Sequence, residues 1–141
     1  MAVTSEATTV WSGDLRSGTG TTTLDSSDSA GFPVTWQARS EGAAGKTTPE
    51  ELLAAAHSSC FSMKLSSLLA KHGTPAETLH VTAAVTFEPD EGVTGSHILL
   101  HATVPGIGDD DFQSIASEAK STCPVSRALV GIPITMEASL A

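Results

Sequence analysis

The sequence is short of positive charge, of cysteine and of long apolar runs, and each shortage closes off a class of function. Seven lysines and arginines stand against sixteen aspartates and glutamates, a formal charge of −9. No basic stripe is available to neutralise phosphates or anionic lipid, so nucleic acid and membrane surfaces are not expected as partners. Small molecules and proteins remain. No run of about 18 apolar residues occurs, and the start, MAVTSEATTVW, lacks the basic end and apolar stretch of a secretory signal. A cytoplasmic location is expected. The two cysteines, Cys60 and Cys123, are too few for a disulfide scaffold, and a reducing compartment keeps such thiols free. A bond between them would be transient chemistry rather than a staple. There is no CxxC or HExxH pair, no repeat with a period of roughly 20 to 50 residues, no low-complexity block and no Pro-rich linker.

What is present suits one domain spanning residues 1–141, since 40% hydrophobic content over 141 residues can build a real core. Residues 8–15, 19–24 and 33–39 read as three short strands separated by Gly, Asp and Ser turn signals, an N-terminal meander. Thr48 is a suitable helix cap, with Pro49 at the first helical position and Glu51 completing a capping box. Leu52, Leu53, Ala56, Cys60, Met63 and Leu68 follow at roughly helical spacing until Gly73 and Pro75 end the pattern. The result is a rod of about 36 Å from Pro49 to His72. Its many alanines and serines suit close burial, so this helix is expected to be central. LHVTAAVTF and SHILLHATV read as two strands of a hairpin with EPDEGVTG as a longer loop between them. Asp109, Asp110 and Asp111 favour the start of a second helix, with Phe112, Ile115, Ala116 and Ala119 facing inward. Pro124 breaks that helix, and IPITMEASL supplies a last strand. The order βββ-α-ββ-α-β predicts an α+β fold, helices packed on curved antiparallel sheets.

A free cysteine often behaves as a small buried hydrophobe, so a reactive thiol needs further support. Cys60 lies about three turns beyond Pro49, too far for the helix dipole to ionise it. A cation would be required. Lowering a thiol pKa from about 8.5 to about 6 takes roughly 3.4 kcal/mol, and one charge at about 4 Å with an effective dielectric near 20 supplies about 4. The arginines are Arg16, Arg39 and Arg127; Arg39 is placed at a strand end, shortly before Glu50. Glu50 is itself an ordinary first-turn acid. It is separated from Cys60 by a rise of about 15 Å, so only an antiparallel second copy of the helix could bring the two together. His57 and Cys60, three apart, would form a metal half-site with Cys123 and His101, but this signal is weak and no metal is expected. His57 lacks a visible orienting partner for hydrolase chemistry, and burial is its expected role.

TPEELLAAAHSSCFSM together with CPVSRAL resembles the OsmC/Ohr family, the osmotically inducible and organic hydroperoxide resistance proteins. The resemblance covers nearly the whole chain, with two long motifs at the right separation. It implies an OsmC-like fold and an intertwined homodimer with two active sites at the subunit interface. The implied activity is that of a thiol-dependent peroxidase, without a cofactor, acting on organic hydroperoxides and less well on hydrogen peroxide. By the same resemblance Cys60 matches the peroxidatic cysteine, Cys123 the resolving cysteine that forms an internal disulfide with it, and Glu50 the family glutamate. Arg39 looks like the arginine of the OsmC branch, while Arg16 is the alternative if the Ohr pattern applies. Phe61, Met63, Phe32 and Trp36 are candidates for binding the organic part of the peroxide, and an external dithiol or lipoylated protein for reducing the disulfide. Two rivals are weighed against this: a non-catalytic stress or ligand-binding protein of the same fold, and a zinc-binding module.

Overall fold

The computed structural model describes all residues from Met1 to Ala141. They divide into two compact units, Met1–Pro49 and Glu50–Ala141.

The first unit is a meander followed by a short helix. Strands β1 (Thr8–Ser12), β2 (Thr19–Thr23) and β3 (Gly31–Val34) pair antiparallel in the order β1-β2-β3. Gly20 is needed because Trp11 lies opposite it: a Cβ there would come within 2.8 Å of the indole ring and 2.9 Å of a Val34 methyl. Pro33 is accommodated because β3 is an edge strand and loses no ladder donor on its open side. The expected third strand, 33–39, stops at Val34. Thr35 is extended (φ −142°), and its hydroxyl accepts a hydrogen bond of 3.1 Å from the Ala38 N–H, opening helix α1 (Trp36–Glu41). Gly42, at φ 81°, closes that helix. The β-branched and aromatic residues read as strand, but the threonine works as a cap, so Arg39 lies in the last turn of a helix and not at a strand end.

The second unit is built around helix α2 (Pro49–His72), whose bounds agree with the sequence reading. Its buried stripe is His57, Phe61, Leu65 and Leu69, every fourth residue, as one face of a helix requires. This differs from the expected stripe. Ala56 and Met63 are exposed, while Leu52, Leu53, Cys60 and Leu68 are half-buried. The small residues Ala55, Ser59, Ser66, Ser67 and Ala70 also lie on the open side rather than in the core. The helix is apolar or small nearly all round, so periodicity alone could not choose the face.

Strands β4 (Thr78–Glu88) and β5 (Gly92–Thr103) form the expected hairpin, with pairing that continues to Glu88↔Gly92 and a bulge at Thr86/Phe87. The connecting loop is therefore shorter than EPDEGVTG, and Gly92, at φ 91°, takes the left-handed position. Helix α3 (Asp109–Thr122) and a single turn α4 (Pro124–Ala128) lead to β6 (Ile134–Leu140). β6 pairs with β5 in parallel, which corrects the all-antiparallel expectation. A parallel neighbour requires a long crossover, and α3 with α4 provides it. Ile98, Leu100 and Ala102 of β5 point to one side of the sheet and share a core with Phe61, Leu65 and Leu69 of α2. Phe112, Ala116, Ala119 and Cys123 complete that core along the α3 stripe. Ile115 packs at its margin.

Candidate active site

Both cysteines belong to the second unit, and both are free thiols. Cys60 is on α2, one residue before the fully buried Phe61, and is half-buried. Cys123 continues the buried stripe of α3 and is 0% exposed. It ends α3 and begins α4: its N–H donates to the Ala119 carbonyl at 2.9 Å, and its carbonyl accepts from Arg127 N–H at 3.0 Å. Its own backbone (φ −56°, ψ 128°) is extended because Pro124 disfavours the helical conformation for the residue before it.

The two thiols lie close enough to influence each other. Burial pushes the Cys60 thiol above its ordinary range, and the Cys123 thiol pushes it further in the same direction. The Val125 backbone N–H, at the start of α4, donates to the Cys60 sulfur and acts the opposite way. Alone, this environment favours the protonated form of Cys60. A nearby positive charge would be needed to make it a nucleophile at neutral pH.

His57 lies one turn before Cys60 and is 0% exposed. Its Nδ1 is 2.7 Å from Ser96 Oγ on β5, and its Nε2 is 2.8 Å from Ser126 Oγ on α4. Both serines are buried, and no buried side-chain polar atom lacks a partner. In the neutral ring one nitrogen donates and the other accepts, each serine hydroxyl taking the complementary role. Burial lowers the His57 pKa. Sequence reasoning expected His57 to be buried but missed these partners. The available signal was that Ser126 falls inside CPVSRAL, three residues after Cys123, as His57 falls three before Cys60.

The four-ligand metal set does not assemble. Both His57 nitrogens are committed to serines, and His101 lies on the opposite face of β5 from Leu100 and Ala102, with Nδ1 2.6 Å from Ser139 Oγ. No group of three or more His, Cys, Asp or Glu side chains is disposed to hold a metal.

The remaining predicted residues are distributed as follows. Glu50 is buried, 5% exposed, in the first turn of α2. Arg39 is half-buried, and Arg16 is exposed in the turn between β1 and β2. Phe61 is a core residue at 0% exposure, so its ring belongs to the packing and not to an open binding surface. Met63 is 73% exposed and borders an open groove of about 610 Å³ with Ser62, Ser66, Ala70, Ala76 and Leu79. Phe32 and Trp36 are half-buried in the first unit. No helix is long and apolar enough to cross a membrane.

Comparison with known proteins agrees with this architecture. The family model described as OsmC-like protein matches residues 42–138. The chain is 39% identical over 122 residues to Peroxiredoxin OsmC of Escherichia coli, covering 84% of this chain and 85% of that protein. Among solved structures, an organic hydroperoxide resistance protein from Elizabethkingia anophelis is similar at 26% identity and a TM-score of 0.72, over 100% of this chain and 99% of the other. An OsmC-like protein of unknown function from Vibrio cholerae shares the fold at a TM-score of 0.75 and 16% identity, over 98% of this chain and 100% of the other.

Proposed function

Because this chain belongs to the OsmC-like protein family, we propose that it is a cysteine-based peroxidase that reduces organic hydroperoxides, with Cys60 as the attacking thiol and Cys123 as its resolving partner. Kinship with a peroxiredoxin supports a peroxide-reducing redox role. The single observation that carries the finer reading is the closeness of the Cys60 and Cys123 thiols within one unit.

The Cys60 thiolate attacks the distal peroxide oxygen, the O–O bond breaks, and the alkoxide leaves and takes up a proton as an alcohol. Cys60 is now a sulfenic acid. The Cys123 sulfur attacks the Cys60 sulfur, hydroxide departs with the Cys123 proton as water, and a disulfide remains. An external dithiol, free or carried as a lipoyl group, then reduces it by two exchange steps and is itself oxidised.

The raised Cys60 pKa makes the cation the essential further element of the proposal. Arg39 is assigned that role, with Glu50 to aim its guanidinium and Arg16 as the alternative. A single charge near the sulfur, worth about 4 kcal/mol at about 4 Å, acts against that upward push on the thiol. Met63, Phe32 and Trp36 are proposed to meet the organic group. The open small-residue side of α2 supports a homodimer, in which helices can approach closely.

Cys60→Ser should abolish dihydrolipoamide-dependent consumption of cumene hydroperoxide. Cys123→Ser should allow one turnover and then accumulate over-oxidised Cys60, visible as added oxygen in the intact mass. Full activity in Cys60→Ser removes this mechanism. Binding of the hydroperoxide by the unmodified protein without turnover would favour a non-catalytic ligand-binding role. Loss of Cys60 alkylation near neutral pH in Arg39→Ala, with Arg16→Ala unaffected, would identify the cation.

A further inference from the structure

His57 and Cys60 are three positions apart on α2, and Cys123 and Ser126 are three positions apart across the start of α4. The two pairs face each other. One rung of this short ladder is the Cys60–Cys123 thiol pair, and the adjacent rung is the His57 Nε2···Ser126 Oγ hydrogen bond of 2.8 Å. The imidazole is anchored from behind by Ser96 on β5, whose own N–H donates to the Pro133 carbonyl at 3.0 Å, just before β6 begins. A five-residue turn such as α4 has few internal hydrogen bonds with which to hold itself in place. Its position comes from tertiary ties such as these together with the packing of Val125 and Cys123 on the core.

Resting on the peroxidase reading above, we propose that His57 is a positioning residue for disulfide formation. Its ring fixes α4 against α2 and β5, and so holds the Cys123 sulfur in line with the Cys60 sulfur for the condensation step, while the preceding attack of Cys60 on peroxide does not depend on it.

The physical reason is the narrow geometry of the product. A disulfide requires its two Cα atoms about 4.4–6.8 Å apart and a Cβ–S–S–Cβ dihedral near 90°. A drift of α4 would take Cys123, at its N-terminus, out of line, while the backbone of Cys60 stays fixed in the long helix α2. The step itself, Cys60–SOH and Cys123–SH giving the disulfide and water, needs no proton from the imidazole. Both ring nitrogens are already committed to serine hydroxyls. His57 therefore acts through Ser126 and does not touch the reacting atoms.

The substitutions can separate the two hydrogen bonds. The Asn amide reproduces a group at the Nδ1 position and loses the Ser126 tie, whereas the longer Gln amide reaches the Nε2 position and restores it. In single-turnover reactions of the full chain with tert-butyl hydroperoxide, quenched by alkylation and read by intact mass, two rates are followed: loss of the Cys60 thiol and appearance of the disulfide. His57→Asn and Ser126→Ala should slow disulfide formation by about 10- to 100-fold, with oxidation of Cys60 within about twofold of the unmodified protein and a larger fraction of sulfinic acid. His57→Gln should recover most of the disulfide rate. If both variants form disulfide at the unmodified rate, His57 has no positioning role, although the peroxidase reading stands. If both steps slow together in proportion to a lower Tm, the role is merely structural and the proposal is overturned. If the unmodified protein forms no disulfide at all, the underlying reading fails, and this proposal with it.

Discussion

At position 57 a residue that is polar on paper occupies a core site. The imidazole is wholly enclosed and satisfied by two serines, and a ring held this way resists protonation because its charge would have to be buried. The direction of the shift fixes a pH dependence. Below its ordinary value of 6.5 the histidine of the unfolded chain takes up a proton, whereas the folded one, with its lowered pKa, does not until the solution is more acidic. The unfolded chain binds more protons across that window, so stability is fully present above 6.5 and is lost as pH falls below it. Urea unfolding from pH 7.5 down to 5 should show a declining midpoint, and His57→Gln, which cannot titrate, should remove this part of the decline. An unchanged slope in the variant would rule out His57 as its source. What was legible at this scale was the burial of His57. What was not legible was the pairing of His57 with Ser96 and Ser126, because those partners lie far away in sequence and a hydroxyl carries no periodicity.

Among the elements, the sequence was clearest where a physical stop or start signal stood at each end. Pro49 and Gly73 bracket α2, and the three aspartates open α3. The face of α2 was harder to read, since alanine, serine and leucine surround it and His57 breaks the apolar stripe. The observed stripe predicts where truncation matters: Leu65→Ala, at 0% exposure, should cost about 2–5 kcal/mol in urea unfolding. Ser67→Ala, on the open side of the same helix, should change stability by less than about 0.5. Equal effects would mean that the buried face is misassigned. Helix α1 escaped notice because Thr35 and Trp36 favour strands as residues, while the single hydrogen bond from Ala38 N–H to the threonine hydroxyl decides otherwise. The direction of β6 was likewise hidden. Parallel or antiparallel pairing is settled by where the α3–α4 crossover delivers the chain, and no local propensity records that.

For the whole molecule, the small-residue side of α2 is open in the single chain, and the homodimer proposed above would cover it. Glu50 and Cys60 share that helix with a rise of about 15 Å between them, so a site using both would draw them from different copies. Mixed dimers of Cys60→Ser and Glu50→Ala chains should then recover one working site in two, measured as hydroperoxide consumption on mixing two inactive proteins. No recovery would place both contributions within one chain. A final consequence follows from the unequal exposure of the sulfurs. Cys123 is sealed in the interior while Cys60 is half open, so in the proposed disulfide an incoming reductant would have access to only one of the two sulfurs. On that proposal the electron pair would enter at the sulfur of residue 60, with residue 123 as the leaving group. The unequal exposure would thus give the proposed cycle a built-in direction of recovery, and a reductant with a single thiol should be found tethered to residue 60 and not to residue 123.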